Sequence, residues 1–299
     1  MASIHIKLVA MGILWATSYP LGRYVAHFGA PEVIVLIRAF TAFLFLALIA
    51  RQRGELHMTP TPAVVGLFVV LGLCGFCGHN LLMFTALEHT QANTGAVING
   101  AIPVVVVILD FLIFRRTIAR LSVLGIGCSF LGAALVVTHG DLASILKGQI
   151  GYGELLFVGA ITAWAIYTIA ARPLLERLPV ITVSAYGCLA GTILLVPFTL
   201  ANAGPAVVLL SEPPVVLALV VHGLLTMGLG FVWYYEGVRQ LGTMNAAAYT
   251  NLIPIFGVAL AAVTIGEIPD AALLLGGSLV VGGLWIVNRA ERARAATAN

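Results

Sequence analysis

The sequence predicts an all-α integral membrane protein with ten transmembrane helices that form two inverted five-helix repeats. Three observations lead to this prediction: an apolar composition, ten long apolar segments, and a match of the chain to itself. Of the 299 residues, 61% are hydrophobic and only 9% are charged, whereas about 25% of the residues of a soluble domain are charged. Soluble enzymes, disordered chains and nucleic-acid binders need more charge. The expected surroundings are therefore a lipid bilayer, and no nucleic acid is expected as a partner.

Ten apolar segments are long enough to cross a bilayer, which takes about 20 residues of α-helix. The predicted spans are residues 4–27, 32–50, 63–86, 92–113, 121–139, 152–171, 180–201, 214–236, 244–265 and 271–288. Strands of a membrane barrel would alternate in hydropathy over about ten residues, whereas these segments are apolar on all sides. The first segment is interpreted as a helix and not a signal peptide, because polar residues interrupt it at 17–20 and further spans follow.

Positive charges set the predicted orientation, because cytoplasmic loops carry an excess of Lys and Arg. Of the 15 Lys and Arg residues, Arg23 and Lys147 fall on one side, Arg38 lies inside the second span, and the remaining twelve fall on the other side. Both termini are therefore predicted to be cytoplasmic, and the expected location is the inner membrane of a bacterium.

The chain matches itself at an offset of about 150 residues, which divides it into repeats at 4–139 and 152–288. The matching positions are Trp15 and Trp164, Arg23 and Arg172, Pro103 and Pro254, Gly125 and Gly276, and Gly132 and Gly283. Five spans separate each pair, so the second copy enters the membrane from the opposite side. Inverted repeats are typical of secondary transporters, which bind solute near the midplane between the repeats. The alternative is a duplication that serves packing alone.

Several short motifs follow one another in order along the chain. They are Arg38 in the second span, Asn99-Gly100-Ala101-Ile102-Pro103 in the fourth, Leu252-Ile253-Pro254 in the ninth, and Ile265-Gly266-Glu267 before a tenth span with paired glycines. Over nearly its whole length the sequence resembles the EamA family of the drug/metabolite transporter superfamily, and within it bacterial amino acid exporters, including those for aromatic amino acids. The resemblance implies a transporter and not an enzyme. One departure is that Arg115-Arg116 stands where the second half has Gly266-Glu267.

Polar and aromatic side chains inside the spans are predicted to line a cavity, because they are costly against lipid. At a rise of about 1.5 Å per residue, Trp15 and Trp164 both reach the bilayer centre, from opposite sides. The predicted substrate-binding residues are Trp15, Tyr19, His79, Asn80, Met83, Asn99, Trp164, Tyr167, Tyr234, Tyr249 and Asn251. Those in the third and fourth spans are expected in the outer half of the membrane, and Tyr234, Tyr249 and Asn251 in the inner half. The alternatives are that the tryptophans only pack and that His79 only bonds to a neighbouring helix.

The charges inside the spans narrow the predicted cargo. No carboxylate lies near the centre of any span, which disfavours organic cations and polyamines. Arg38 is expected to extend outward to the membrane surface, which disfavours phosphates and nucleotide sugars. The predicted cargo is a small neutral or zwitterionic solute, aromatic amino acids included, with its carboxylate bound by amides or helix ends and its ring by aromatic and methionine side chains. His222 is expected to be structural.

Pro103 and Pro254 are predicted hinges, because each removes a backbone hydrogen bond from its helix; a static kink is the alternative.

No nucleotide-binding loop occurs, so a solute or proton gradient would supply the energy, and no cofactor or metal is expected. Proton coupling would depend on His79, since unperturbed histidine titrates near pH 6.5; uncoupled export fits equally well. GxxxG spacings such as Gly187 to Gly191 mainly let helices approach closely, and we expect a monomer. Rival functions are export of sugars, nucleosides or drugs, a membrane-embedded enzyme, and a channel.

Overall fold

The computed structural model describes residues 2–115, 120–147 and 150–297, and within these ranges the protein is helical, without strands. Nine helical stretches are long and apolar enough to cross a membrane, and one shorter apolar stretch, Ala271–Val287, follows them in the described chain. In chain order they are α1 (Ser3–Phe28), α2 (Pro31–Gln52), α3 (Pro62–His89), α4 (Ala92–Ile113), α5 (Arg120–Val137), α6 (Tyr152–Leu175), α7 (Val180–Ala201), α8 (Pro213–Leu241), α9 (Asn245–Ile265) and α10 (Ala271–Thr297). The prediction of an all-α membrane protein with ten membrane helices is confirmed.

Local sequence explains where three of the helices begin. α2, α3 and α8 begin at prolines. Proline fits the first turn of a helix, because the N–H groups of that turn have no acceptor within the helix. α10 extends furthest beyond its predicted end, to Thr297 and not to residue 288. α8 also continues, to Leu241 and not to residue 236. Its last turns carry Glu236 and Arg239, and polar residues extend this helix beyond the apolar segment.

Two pairs of helices depart from regular α geometry at positions that the repeat relates. α3 contains a π-helical segment at Gly72–Leu81 and α8 one at Gly223–Gly230. α4 is interrupted between Asn99 and Ile102, and α9 contains a 3₁₀ turn at Ala248–Asn251. Such departures change which backbone groups are paired and are frequent at functional sites. Both halves of the chain therefore carry irregular segments at matching places.

α4 and α9 also end alike, despite the different residues there. Arg115 and Gly266 both follow their helices in the left-handed backbone conformation, with φ of 51° and 71°. Glycine adopts this conformation freely, whereas arginine does so at a cost. Arg116, predicted as a cytoplasmic charge, lies outside the described residues. The geometry of this helix end is thus shared by the two halves even where the sequences differ.

α5 and α10 contact each other through glycines on both helices. A Cβ atom at Gly132 would lie 2.4 Å from the carbonyl oxygen of Gly276, and one at Gly283 would lie 2.4 Å from that of Gly125. Small residues let membrane helices approach until their backbones touch. These four glycines, the α5–α10 seam, join the first half of the chain to the second.

Gly132→Ala is expected to destabilise the protein by about 1–3 kcal/mol, because the added methyl would meet backbone that cannot move aside. The matched control is Gly127→Ala on the same helix, where an added Cβ meets nothing within 4 Å and alanine favours the helix. The melting temperature of the purified protein in detergent measures both. Equal melting temperatures for the two variants would contradict the claim that close packing at the α5–α10 seam stabilises the protein.

The faces that point away from the bundle are apolar. Large side chains such as Leu200, Val263 and Ile268 are 73%, 85% and 83% exposed. Water would disfavour such a surface, whereas hydrocarbon accepts it. Seven helices, α1 to α4, α6, α8 and α9, meet around a cavity in the interior.

A candidate solute-binding cavity

The cavity is lined by both halves of the chain. Its lining residues are Trp15, Ser18, Tyr19, Arg38, His79, Asn80, Met83, Asn99, Ile102, Trp164, Thr226, Phe231, Thr250 and Ile253. Seven of the eleven residues proposed from the sequence are among them. Pockets of this kind, with apolar walls and a few polar groups, are typical binding sites for small molecules.

Trp15 of α1 and Trp164 of α6 contact each other at the wall of the cavity. Their rings meet edge to face, with centroids 5.1 Å apart. The indole nitrogen of Trp15 donates a hydrogen bond of 3.0 Å to the carbonyl of Thr226, inside the π-helical segment of α8. Gly230 makes room for this indole, since a Cβ there would lie 2.5 Å from its nitrogen. The two repeat-related tryptophans thus meet where the halves of the chain meet.

Further aromatic side chains lie behind this pair. Tyr167 and Tyr234 are 1% and 0% exposed, and their ring centroids lie 4.9 and 5.6 Å from that of Trp164. The Tyr234 hydroxyl is 3.2 Å from that of Thr168. Tyr167 and Tyr234 therefore support the tryptophans but do not line the cavity in this conformation.

One wall of the cavity is polar and comes from the π-helical segment of α3. His79 Nδ1 donates to the carbonyl oxygen of Ala160 at 3.0 Å, and its ring centroid lies 4.8 Å from that of Trp164. The Asn80 amide donates to the carbonyl of Gly75 at 2.7 Å, within the same segment. A neutral imidazole that donates from Nδ1 keeps Nε2 as an acceptor. The irregular backbone thus orients both side chains.

Arg38 lies in this wall, and the prediction that it extends outward was wrong. Its side chain is 2% exposed. Its two terminal nitrogens donate to Asn80 Oδ1 at 3.4 Å and to Thr226 Oγ1 at 3.1 Å. The physical reason is the packing of α2 against α8: a Cβ at Gly223 would lie 2.7 Å from the backbone of Arg38. The Arg38 side chain is therefore enclosed between helices and does not reach the membrane surface.

His222 of α8, expected to be structural, has partners in the first helix. Its Nε2 is 3.1 Å from Thr17 Oγ1. The contact joins α8 to α1 beside the cavity, as a hydrogen bond between membrane helices does.

Tyr249 and Asn251 are not brought to the cavity. The Tyr249 hydroxyl is hydrogen-bonded to His5 of α1, whereas their neighbours Thr250 and Ile253 line the cavity. The 3₁₀ turn at Ala248–Asn251 rotates the side chains relative to an α-helix, which a count along the sequence does not anticipate. Sequence reasoning also missed Ser18, Ile102, Thr226 and Phe231. Hydroxyl side chains inside apolar spans were the available signal for Ser18, Thr226 and Thr250.

Pro103 and Pro254 lie in the first turns of the helical segments that follow the interruptions of α4 and α9. Their missing N–H groups therefore fall where a helix has no internal acceptor to offer. The two interruptions touch, because a Cβ at Gly100 would lie 2.7 Å from the ring of Pro254. The two prolines thus stand beside the cavity at matching places, and their role as hinges stays a prediction.

Two ion pairs stand at opposite ends of the bundle and involve repeat-related arginines. In one pair, called the inner pair because it lies at the end predicted to face the cytoplasm, Arg172 at the end of α6 contacts Asp110 of α4 at 2.6 Å and Thr243 at 2.8 Å. In the outer pair, Arg23 at the end of α1 lies 3.7 Å from Glu267, just after α9. Each pair therefore ties the helix of one tryptophan to a helix of the other half.

Ten membrane helices, seven of which surround an internal cavity lined by both halves, define a multi-pass membrane protein. The model of the EamA-like transporter family matches residues 2–138 and again residues 151–289. The chain belongs to this family, within the drug/metabolite transporter superfamily, and is a membrane transporter.

Curated relatives span nearly the whole chain. The uncharacterized transporter YyaM of Bacillus subtilis (strain 168) is 25% identical over 290 residues, 94% of each chain. A probable terminal-alkyne amino-acid exporter of Streptantibioticus cattleyicolor is 27% identical and covers 94% of this chain and 92% of its own. One crystal structure superposes with a TM-score of 0.66 over 98% of this chain and 99% of its own, at 19% identity. That likeness concerns the fold.

Proposed function

We propose that this transporter exports amino acids or related small metabolites, aromatic ones included, from a bacterial cytoplasm. The observation that carries the proposal is the cavity beside Trp15 and Trp164, which combines aromatic walls with the amides of Asn80 and Asn99. Aromatic faces suit an apolar side chain, and amides suit the polar groups of an amino acid. One relative is named a probable amino-acid exporter, which supports the same class of cargo.

We propose that residues 4–139 and 152–288 are the two units whose relative movement opens the cavity to each side in turn. The inner and outer ion pairs support this, because each is placed to close one end of the bundle. The inner pair is the shorter, at 2.6 Å against 3.7 Å. In this proposal the inner end is closed in the conformation described, and both termini face the cytoplasm.

The direct test is solute exchange in proteoliposomes that contain the purified protein. Vesicles loaded with unlabelled solute are expected to accumulate radiolabelled phenylalanine or tryptophan, and protein-free vesicles are not. Exchange of a sugar or nucleoside without exchange of any amino acid would assign the protein to a different cargo. A steady ion current across a planar bilayer would favour a channel.

Export is expected to proceed downhill, without obligatory proton coupling. No Asp or Glu lines the cavity among the described residues, and the Nδ1 of His79 is engaged with the carbonyl of Ala160. Exchange rates in proteoliposomes with and without an imposed pH gradient should therefore agree. A rate that rises severalfold with the gradient, and does so no longer in His79→Gln, would show that this histidine couples transport to protons.

A further inference from the structure

Arg38 carries a positive charge in the cavity wall that no acidic side chain of the described residues balances. The ion pairs within 4 Å in the described part of the chain join other residues, and none of the cavity-lining residues is Asp or Glu. Glu32, at the start of the same helix, is already bonded to the amide of Asn202 at 2.8 Å. Buried charges in proteins are as a rule paired, so this site is electrically incomplete.

The contacts of Arg38 orient its guanidinium without neutralising it. Asn80 and Thr226 accept from the terminal nitrogens, and Cζ stands 4.7 Å from the ring centroid of Phe84. Nε, although buried, has no hydrogen-bond partner. All these neighbours are uncharged. The guanidinium therefore keeps both its charge and donor capacity for a further group.

The cavity gives a partner access to Arg38. Arg38 lines it together with Trp15 and Trp164. A carboxylate matches a guanidinium in charge and in geometry, because its two oxygens accept two parallel N–H bonds. A phosphate dianion would call for a second cation, and no Lys or other Arg lines the cavity among the described residues.

We infer that Arg38 is the counter-charge of the cargo, and that the cavity takes organic monocarboxylates with an aromatic or apolar body. This rests on the proposed transport function of the same cavity and refines its substrate class. The carboxylate binds at the guanidinium, and the body lies against the tryptophans. An ammonium group on the cargo meets no acidic side chain here, so a simple monoanion fits the cavity at least as well as the zwitterionic amino acid.

Isothermal titration calorimetry on the full-length protein in detergent tests the charge. The probes are 3-phenylpropionate and 3-phenylpropionamide, which share a shape and differ in charge. The carboxylate is expected to bind at least about tenfold more tightly to the wild type, the range of a hydrogen bond to a charged group. In Arg38→Gln the two Kd values should become nearly equal, and Arg38→Lys should keep part of the difference.

Equal Kd values of the two probes for the wild type would overturn the inference, and this comparison needs no variant. If Arg38→Gln weakens both probes by the same factor, Arg38 is a structural residue and the inference also fails. Phenylalanine that binds more than tenfold tighter than 3-phenylpropionate would refute the claim that a simple monoanion fits the cavity at least as well as an amino acid. Amino acid exchange in vesicles without any of these charge effects would leave the proposed function standing and remove the inference. Tighter binding of the carboxylate probe without exchange of any amino acid would support the inference and contradict the proposed export of amino acids.

Discussion

Trp164→Ala is expected to reduce exchange of an aromatic solute in proteoliposomes by about tenfold or more. A central aromatic residue of a binding site typically contributes about 2 kcal/mol or more to affinity, and every 1.4 kcal/mol corresponds to a factor of ten. Trp164 is 2% exposed and contacts Trp15, Tyr167 and Phe231. Loss of the Trp164 ring therefore removes part of the cavity wall and leaves Trp15 without this packing partner.

The same contacts mean that Trp164→Ala also loses stability, by about 3–5 kcal/mol for a large buried aromatic residue. Trp164→Phe keeps part of the packing and is expected to raise KM with a near-normal melting temperature. Trp285→Ala is the matched control, since this tryptophan of α10 is 60% exposed on the surface that faces away from the bundle. Initial rates at several solute concentrations, with equal amounts of reconstituted protein, give KM for each. Wild-type KM in Trp164→Phe and also in Trp164→Ala would reduce the tryptophan to a packing residue.

Charge reversal in the inner pair is expected to have an effect of similar size. Arg172→Glu places a carboxylate against Asp110, whose oxygen now lies 2.6 Å from the arginine. The two side chains are 22% and 18% exposed, so water screens the repulsion only partly. The inner end of the bundle should then open, and exchange should fall by about tenfold. Asp110→Arg combined with Arg172→Glu restores opposite charges and is expected to recover most of the exchange.

Thiol labelling reports the conformation directly. Ser18 lines the cavity and is 5% exposed, so Ser18→Cys in a chain without the four native cysteines marks access to the cavity. Arg172→Glu should raise labelling by an impermeant reagent from the inner side, and the double variant should lower it again. Arg239→Glu is the matched control, because it reverses a charge at an exposed side chain of α8 near the same end of the bundle. Unchanged labelling in Arg172→Glu would show that the inner pair does not hold this end closed.

The fold and the centre of the cavity could be predicted from the sequence because both depend on helix length. An apolar run of about 20 residues is dictated by the bilayer, and residue counts from the helix ends place Trp15 and Trp164 at matching depths. α1 is helical up to Trp15, and α6 is regular up to Trp164, so these counts remain valid. The meeting of the two rings follows from the repeat.

The rest of the site could not be predicted, because depth does not say which way a side chain points. The 3₁₀ turn in α9 directs Thr250 and Ile253 to the cavity in place of Tyr249 and Asn251. Arg38 was misjudged for a related reason. Its direction depends on the close approach of α8 at Gly223, a contact between segments about 185 positions apart in the chain. Neither feature leaves a periodic trace in the sequence.

The α5–α10 seam restricts how the two halves can move. Backbone atoms touch there on both sides, so the two helices have no side-chain layer along which to slide. In the proposed movement of the two halves, α5 and α10 therefore stay in contact along the seam while the helices around the cavity rearrange. A methyl group added at the seam, on helices that do not line the cavity, is therefore expected to change the rate of exchange as well as the melting temperature.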